Sequence, residues 1–350
     1  GICYDENECK DVSVHKNFPA KLTHLLYKRY KYFAGDSGKG LVILPCELID
    51  KNGDKLKEIV FRYADEWELE SGFKDWLSGA NIFANTLVDR IVSGYPKNEA
   101  DQLCQKIGYN DDLLDVCEPF LLWVIEGDKK ILDVLPLNGC GLDIVVTDDL
   151  TPYRTRKVRI LNGAHTMSVL AGHLCGFETV EQLVNDKVFN KFMTKGIFEE
   201  IIPSFEGDKL AEYANDVIER FKNPYLNHKL LSISLNSVSK FKTRVLPSIK
   251  DYIKKYDKAP RLLSFSLAAL IEFYNRGIGK FVNDEKQYLD ALSAIFAADL
   301  DCGQTVNKVL GSNLLWGEDL TAIKYLEKSV ADYYSLINKK SMAEAVKEVL

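Results

Sequence analysis

A lysine, an asparagine and a histidine stand close together in Arg156-Lys157-Val158-Arg159-Ile160-Leu161-Asn162-Gly163-Ala164-His165-Thr166. In a helix, Asn162 and His165 are three residues apart and share a face. Lys157 lies one to two turns earlier, within reach of the same space. Three such groups suit the interconversion of a carbonyl and an alcohol. A lysine whose ammonium form is disfavoured by burial or by neighbouring positive charge accepts a hydroxyl proton. An amide N–H and an imidazole N–H hold an oxygen on which negative charge develops. The same residues also fit a plainer reading, with Asn162-Gly163 as a turn or cap and His165 as a satisfied core histidine.

The elements that must position these groups change in texture along the chain. Up to about residue 155 the pattern alternates between helix and strand. Leu22, Leu25, Leu26 and Tyr30 recur at helical spacing, and Gly35-Asp36-Ser37-Gly38 ends that run. Gly40-Leu41-Val42-Ile43-Leu44-Pro45 is a short apolar run of the kind found in parallel sheets covered on both faces. Asn52-Gly53 reads as punctuation before helices over Lys55–Trp67 and near Phe73–Trp76, and further strands are expected over Phe120–Ile125 and Leu142–Thr147. Beyond Tyr153 helices follow one another: Val180–Val188, Leu210–Phe221, Leu230–Tyr256, Leu262–Tyr274, Gln287–Phe296 and Ala322–Ile337, with Leu263, Leu267, Leu270 and Tyr274 along one stripe. The fold class is therefore α/β followed by all-α, with domains over 1–155 and 156–350. Lys157, Asn162 and His165 fall at the junction, where ligand sites are common.

Composition narrows the function. The 350 residues carry a formal net charge of -6, with 46% hydrophobic and 27% charged residues, which is ordinary globular usage. Mild acidity argues against nucleic acid as a partner, since phosphate binding needs a concentrated basic face. No run approaches the length needed to span a bilayer, so no membrane partner is expected. The eight cysteines contain no C-x-x-C pair and read as reduced thiols of a cytoplasmic protein rather than as a metal or disulfide framework. Gly35-Asp36-Ser37-Gly38-Lys39-Gly40 has its glycines in the order G-x-x-G-x-G and leads into a strand, so it reads as a turn and not as a dinucleotide fingerprint.

Several segments, taken together, resemble one family. Lys157, Asn162 and His165 match K-x4-N-x2-H without a gap, and Phe83-Ala84-Asn85-Thr86-Leu87-Val88-Asp89-Arg90-Ile91 matches F-x-N-x-x-V-D-R-I. Both patterns are similar to those of the long-chain mannitol dehydrogenases. The segments Pro45–Asp54, Asp148–Tyr153, Glu199–Pro203 and Arg220–Tyr225 resemble the branch of that family acting on keto-hexuronates. The similarity covers most of residues 16–260.

The resemblance implies the later part of a Rossmann-type domain over 1–155 and a multi-helical C-terminal domain over 156–350, similar to that of 6-phosphogluconate dehydrogenase. It implies NAD as cofactor, no metal, and reversible hydride transfer between tagaturonate and altronate. Fructuronate, mannitol and a non-catalytic binding module are the alternatives. Lys157 would be the general acid/base, Asn162 and His165 would polarise the reacting oxygen, and Asn85 would position substrate. Lys240 matches a position touching the far end of the substrate, where Arg244 would suit a carboxylate; His228 is a further candidate. A solvated helix face is the alternative for the Lys240, Lys242, Arg244 cluster. Glu126 matches an acidic position, but Gly127 and Ser232 stand where polyol enzymes carry Asp and Arg, which favours a uronate. The resemblance sets Gly1 inside the nucleotide-binding domain, with the dinucleotide-reading residues outside the chain, so weak NAD binding and low activity are expected of this chain alone. The expected partner is a small sugar acid.

Overall fold

In the computed structural model, which describes every residue except Val12, Ser13 and Asn138, the apolar runs of the N-terminal segment become strands. Strand β1 (Val42–Ile43) pairs in parallel with β2 (Ile82–Phe83), and Ala84 alone separates β2 from β3 (Asn85–Asp89). Next come β4 (Val92–Gly94) and β5 (Val116–Cys117), paired antiparallel with each other. Strand β6 (Leu122–Glu126) lies between β3 and β7 (Asp143–Thr147). It runs parallel to β7 but antiparallel to β3, with Asn85 opposite Glu126. The sheet is thus mixed, where the apolar runs alone pointed to parallel pairing. Alternate residues of β6 and β7 face opposite sides: Ile125, Trp123, Ile144 and Val146 join one apolar cluster, while Leu122, Val124 and Val145 join another. Burial on both faces explains why these strands read as continuous apolar runs.

The chain divides into two units, Gly1–Arg90 with Pro119–Arg154, and Ile91–Glu118 with Thr155–Leu350. The excursion Ile91–Glu118, which carries β4 and β5, belongs to the C-terminal unit.

In the first unit, the helices Phe18–Tyr32, Asn52–Glu66 and Ser71–Ala80 enclose Leu26, Leu56, Tyr63, Phe73 and Leu77. The Asn17 side chain caps the first helix by accepting from Ala20 N at 2.9 Å. Asn52-Gly53 does not punctuate before a helix but begins one. Buried Asn52 donates to Pro45 O (2.9 Å) and Glu47 O (3.0 Å) and accepts from Thr86 N (2.8 Å), so it ties the β1 exit loop to β3. Lys51, at φ 50°, supplies the left-handed turn before it.

The second unit is helical. Helix Arg261–Gly277 shows a stripe in sequence, but 14 of its 17 residues are buried, so it is a central helix covered all round. Its N-terminal donors are met by Glu200, whose carboxylate accepts from Leu262 N and Leu263 N, each at 2.8 Å. Burial pushes the Glu200 pKa up even though those bonds favour the charged form. The expected single helix Leu230–Tyr256 is three: Leu230–Ile233, Ser237–Arg244 and Leu246–Tyr256. Asn236 turns left-handed at φ 54° to make the first break, and Pro247, lacking an N–H, sits in the first turn of the last helix.

Gly53 fixes how closely helix Asn52–Glu66 approaches the strand. A Cβ there would fall 2.3 Å from Ala84 O and 2.8 Å from Asn85 N, both backbone atoms. Gly53→Ala must therefore move helix from strand and stretch the bond from Asp54 N to Asn85 Oδ1, now 3.0 Å. The expected loss is about 1–3 kcal/mol of stability in the first unit, the usual cost of overpacking, read as a lower urea midpoint.

Candidate functional site

The K-x4-N-x2-H segment does not form an ordinary helix. Residues Lys157–Asn162 make a widened π-type turn, in which Gly163 N–H reaches back five residues to Val158 O, and the α-helix Gly163–Leu174 follows. In an α-helix residues five apart point about 140° away from each other. A turn closed from i to i+5 narrows that angle, and such turns collect at functional sites. Lys157 and Asn162 are thereby brought to one side, and His165 continues that side three residues later. Sequence spacing alone gave no sign of the extra residue in the turn. Lys157 and Asn162 are half-buried, whereas His165 is buried.

His165 is held by packing rather than by polar bonds. Its ring stacks on Phe221 (centroids 4.1 Å apart, planes 16°) and meets His228 edge-on at 5.4 Å. Its Nε2 is buried with no hydrogen-bond partner among the described residues. Burial holds its pKa well below the usual histidine value, and His228, Arg244, Arg220 and Lys240 push the same way. The ring is therefore neutral at ordinary pH, with one buried polar atom left unsatisfied. The Asn162 amide also makes no hydrogen bond among the described residues.

Around this ring the basic groups lie on neighbouring elements. Helix Ser237–Arg244 packs against both the π-type turn and the helix after it. Lys240 and Arg244, four residues apart, share one half-buried face, while Lys242 is exposed on another. The cluster read from sequence is thus split. Arg244 has no carboxylate partner among the described residues, and burial lowers its pKa. Lys240 Nζ donates to Ile233 O at 2.8 Å. Burial, aided by Arg244 and opposed by Asp284, brings its pKa down to about 8. Burial and then Lys240 lower that of His228. The helix carrying Lys240 is anchored at its start, where Val238 N donates to Asp284 Oδ2 and Tyr274 Oη, each at 3.2 Å. Ser232 is exposed on Leu230–Ile233.

Asn85 belongs to the other unit and is engaged there. Its Oδ1 accepts from Asp54 N at 3.0 Å, and its Nδ2 donates to Asp54 Oδ2 and Glu126 Oε1, both at 3.1 Å. Glu126 Oε2 in turn accepts from Leu150 N at 2.9 Å. The six remaining candidates, Lys157, Asn162, His165, His228, Lys240 and Arg244, all lie in the C-terminal unit. Sequence reasoning missed Phe221, the surface His165 rests on, and the buried ion pair beside it between Arg220 and Glu118. Their signal was the Arg220-Phe221 pair inside a segment noted only for its resemblance.

The loop Gly35–Gly40 does not fit a dinucleotide pyrophosphate. Asp36 Oδ1 takes Gly38 N–H at 2.8 Å, and Gly40 is needed because a Cβ would meet Ala80 O at 1.6 Å. Its glycines let the chain pass a helix end.

Comparison with known proteins adds two domain matches. Residues 11–138 match the Rossmann domain of mannitol dehydrogenase, and residues 149–338 match the mannitol dehydrogenase C-terminal domain. Altronate oxidoreductase of Bacillus subtilis strain 168 is 44% identical over 349 residues, which is 99% of this chain and 72% of that protein. The altronate oxidoreductases of Yersinia enterocolitica and Pectobacterium atrosepticum are 41% and 42% identical, each over 99% of this chain and 74% of their own length. Among solved structures, mannitol 2-dehydrogenase of Pseudomonas fluorescens, in complex with NAD and D-mannitol, superposes with a TM-score of 0.72 at 21% identity. That match covers 95% of this chain and 66% of the other. A D-sorbitol dehydrogenase gives 0.77 at 22%, covering 94% and 66%.

The geometry makes Lys240 an unusual lysine. Its amino group is expected to titrate near 8, followed by NMR of 13C-labelled lysine. Arg244→Gln removes a neighbouring cation that disfavours the ammonium form and is expected to shift the midpoint upward.

Proposed function

The chain belongs to the mannitol dehydrogenase family and is an NAD-dependent oxidoreductase of it, and we propose that its reaction is the interconversion of tagaturonate and altronate. The observation that carries the choice of a sugar acid is the pair of cations Lys240 and Arg244, half-buried beside His165, with Arg244 lacking a carboxylate among the described residues. Buried positive charge is costly unless matched, and a uronate carboxylate matches it. Arg244 offers a planar fork for a two-point grip and Lys240 a point charge. His228, next to both His165 and Lys240, adds a polar contact.

NAD(H) carries the hydride when bound. The chain's own groups manage the oxygen and its proton. Lys157 takes the hydroxyl proton as altronate is oxidised and returns it as tagaturonate is reduced. Asn162 and His165 meet the reacting oxygen with an amide N–H and the unpartnered Nε2, which carries the proton in the tautomer this role requires. Because burial keeps His165 neutral, it donates a hydrogen bond without competing with Lys157 for the proton. Asn85 is the further residue proposed to position substrate, and Asp54 and Glu126 hold its amide in place. Fructuronate, the alternative uronate, satisfies the same cations. Mannitol leaves them unmatched. Eight free thiols support a cytoplasmic setting. No helix among the described residues is long and apolar enough to cross a membrane.

The test is NADH oxidation with tagaturonate, fructuronate and fructose in parallel, on this chain and on a form carrying whatever residues its gene places before Gly1. Tagaturonate is expected to turn over fastest, and no turnover of any keto sugar by either form overturns the reading. Lys157→Ala is expected to lower kcat about 10²–10⁴-fold while leaving the circular dichroism unchanged. Lys240 is cationic below about pH 8 and neutral above it. The KM for tagaturonate is therefore expected to stay level up to that pH and to climb beyond it, by at most about tenfold per unit.

A further inference from the structure

The excursion Ile91–Glu118 closes on itself at its base. Glu118 N donates to Ile91 O at 3.1 Å, and the Glu118 carboxylate receives Ile91 N–H in return. The same carboxylate is gripped by Arg220, with Nε to Oε2 at 3.0 Å and Nη2 to Oε1 at 2.8 Å. Both side chains are almost wholly buried, at 2% exposure for Glu118 and 6% for Arg220. A two-point pair this deep holds its shape well, because neither partner has water to turn to.

Arg220 precedes Phe221, the residue on whose face the His165 ring lies. Ile91, Arg220, Phe221 and His228 all border one narrow crevice. His165 has no polar anchor at Nε2 and takes its orientation from Phe221 on one side and His228 at its edge. Whatever fixes Phe221 therefore fixes the imidazole. Arg220 is also one of the cations whose field reaches the His165 ring. Its charge is offset on the spot by Glu118, whereas Arg244 has no such carboxylate among the described residues. We propose that Glu118 and Arg220 are positioning residues for His165, setting its ring through Phe221 and cancelling a charge that would otherwise bear on it. The inference rests on the role given to His165 above, and it assigns a task to the excursion Ile91–Glu118.

The experiment has two independent arms. The chain has five histidines, so 15N labelling of histidine with long-range 1H–15N spectra resolves each ring, and His165→Asn assigns its signal. Glu118→Gln keeps the shape but removes the charge. It is expected to shift the His165 ring nitrogens and to lower kcat for tagaturonate at least tenfold with little change in KM, while His15 and His24 stay put. Phe221→Leu removes the stacking face without stranding a charge and is expected to do the same, and the double variant Glu118→Gln/Arg220→Gln, which strands no charge, stands in for Glu118→Gln where that variant fails to fold. The proposal is overturned if Phe221→Leu moves the ring signal and kcat while folded Glu118→Gln moves neither. It is equally overturned if the His165 signal is unmoved in both variants. If the unmutated chain turns over no keto sugar, the proposed reaction fails, and the ring signals still decide whether the pair orients His165.

Discussion

Positive charge placed in a low-dielectric interior without a matching carboxylate is the constraint around which the C-terminal unit is arranged. The fold shows what it does with cations that serve the fold itself or hold a neighbouring residue in place. Arg220 is given Glu118, and Arg159 is given Asp251 at 2.7 Å with Ser248 beside it. Arg244 and Lys240 are treated differently. The first has no carboxylate among the described residues, and the second bonds only a carbonyl, with Asp284 acting on it from outside hydrogen-bond distance. Both are half-buried beside a neutral imidazole. A protein of ordinary stability, about 5–15 kcal/mol in all, does not keep such a set for packing alone. In the proposed reaction the substrate's carboxylate supplies the missing negative charge.

The widened turn at Lys157–Asn162 meets the second requirement, which is convergence. In the proposed reaction proton transfer and oxygen binding occur at neighbouring atoms of one substrate, which asks the lysine and the asparagine to face the same way. One added residue in the helical ladder achieves this without breaking the helix. Arg159 ties the turn to helix Leu246–Tyr256, and Gly163 lies against the backbone of Arg244, whose carbonyl oxygen a Cβ would meet at an ordinary contact distance of 3.4 Å. Bending the backbone and crowding the charges thus serve a single arrangement.

Much of this was legible in the sequence because it was written in spacing. The strands at Val42–Ile43, Leu122–Glu126 and Asp143–Thr147 were marked by apolar runs, and helix Leu210–Phe221 by its period. The catalytic candidates were marked by residue type and interval. What stayed hidden was whatever depends on contacts remote in sequence. Nothing local says that Asn52, flanked by a glycine, will bond Thr86 and open a helix instead of turning the chain. Nothing local assigns 91–118 to the C-terminal unit, because the ion pair that holds it joins residues 102 positions apart. The π-type turn hid for another reason: an α-helix and a helix with one added residue share the same apolar positions over so short a stretch.

Substrate choice follows from the same charge balance. A polyol and a uronate offer similar hydroxyls to Lys157, Asn162 and His165, so those three discriminate poorly between them. The carboxylate is the difference. In the proposed reading a uronate brings Lys240 an anion, which favours its ammonium form again, so that binding and protonation reinforce each other. A polyol, in the same reading, leaves Lys240 and Arg244 without an anion. A residue that hydrogen-bonds a missing group is the stronger kind of specificity device, since it rejects by its own unsatisfied state. Ser232 is exposed on its own short helix, and the proposed choice of a uronate rests on the half-buried face of helix Ser237–Arg244, where Lys240 and Arg244 stand four residues apart.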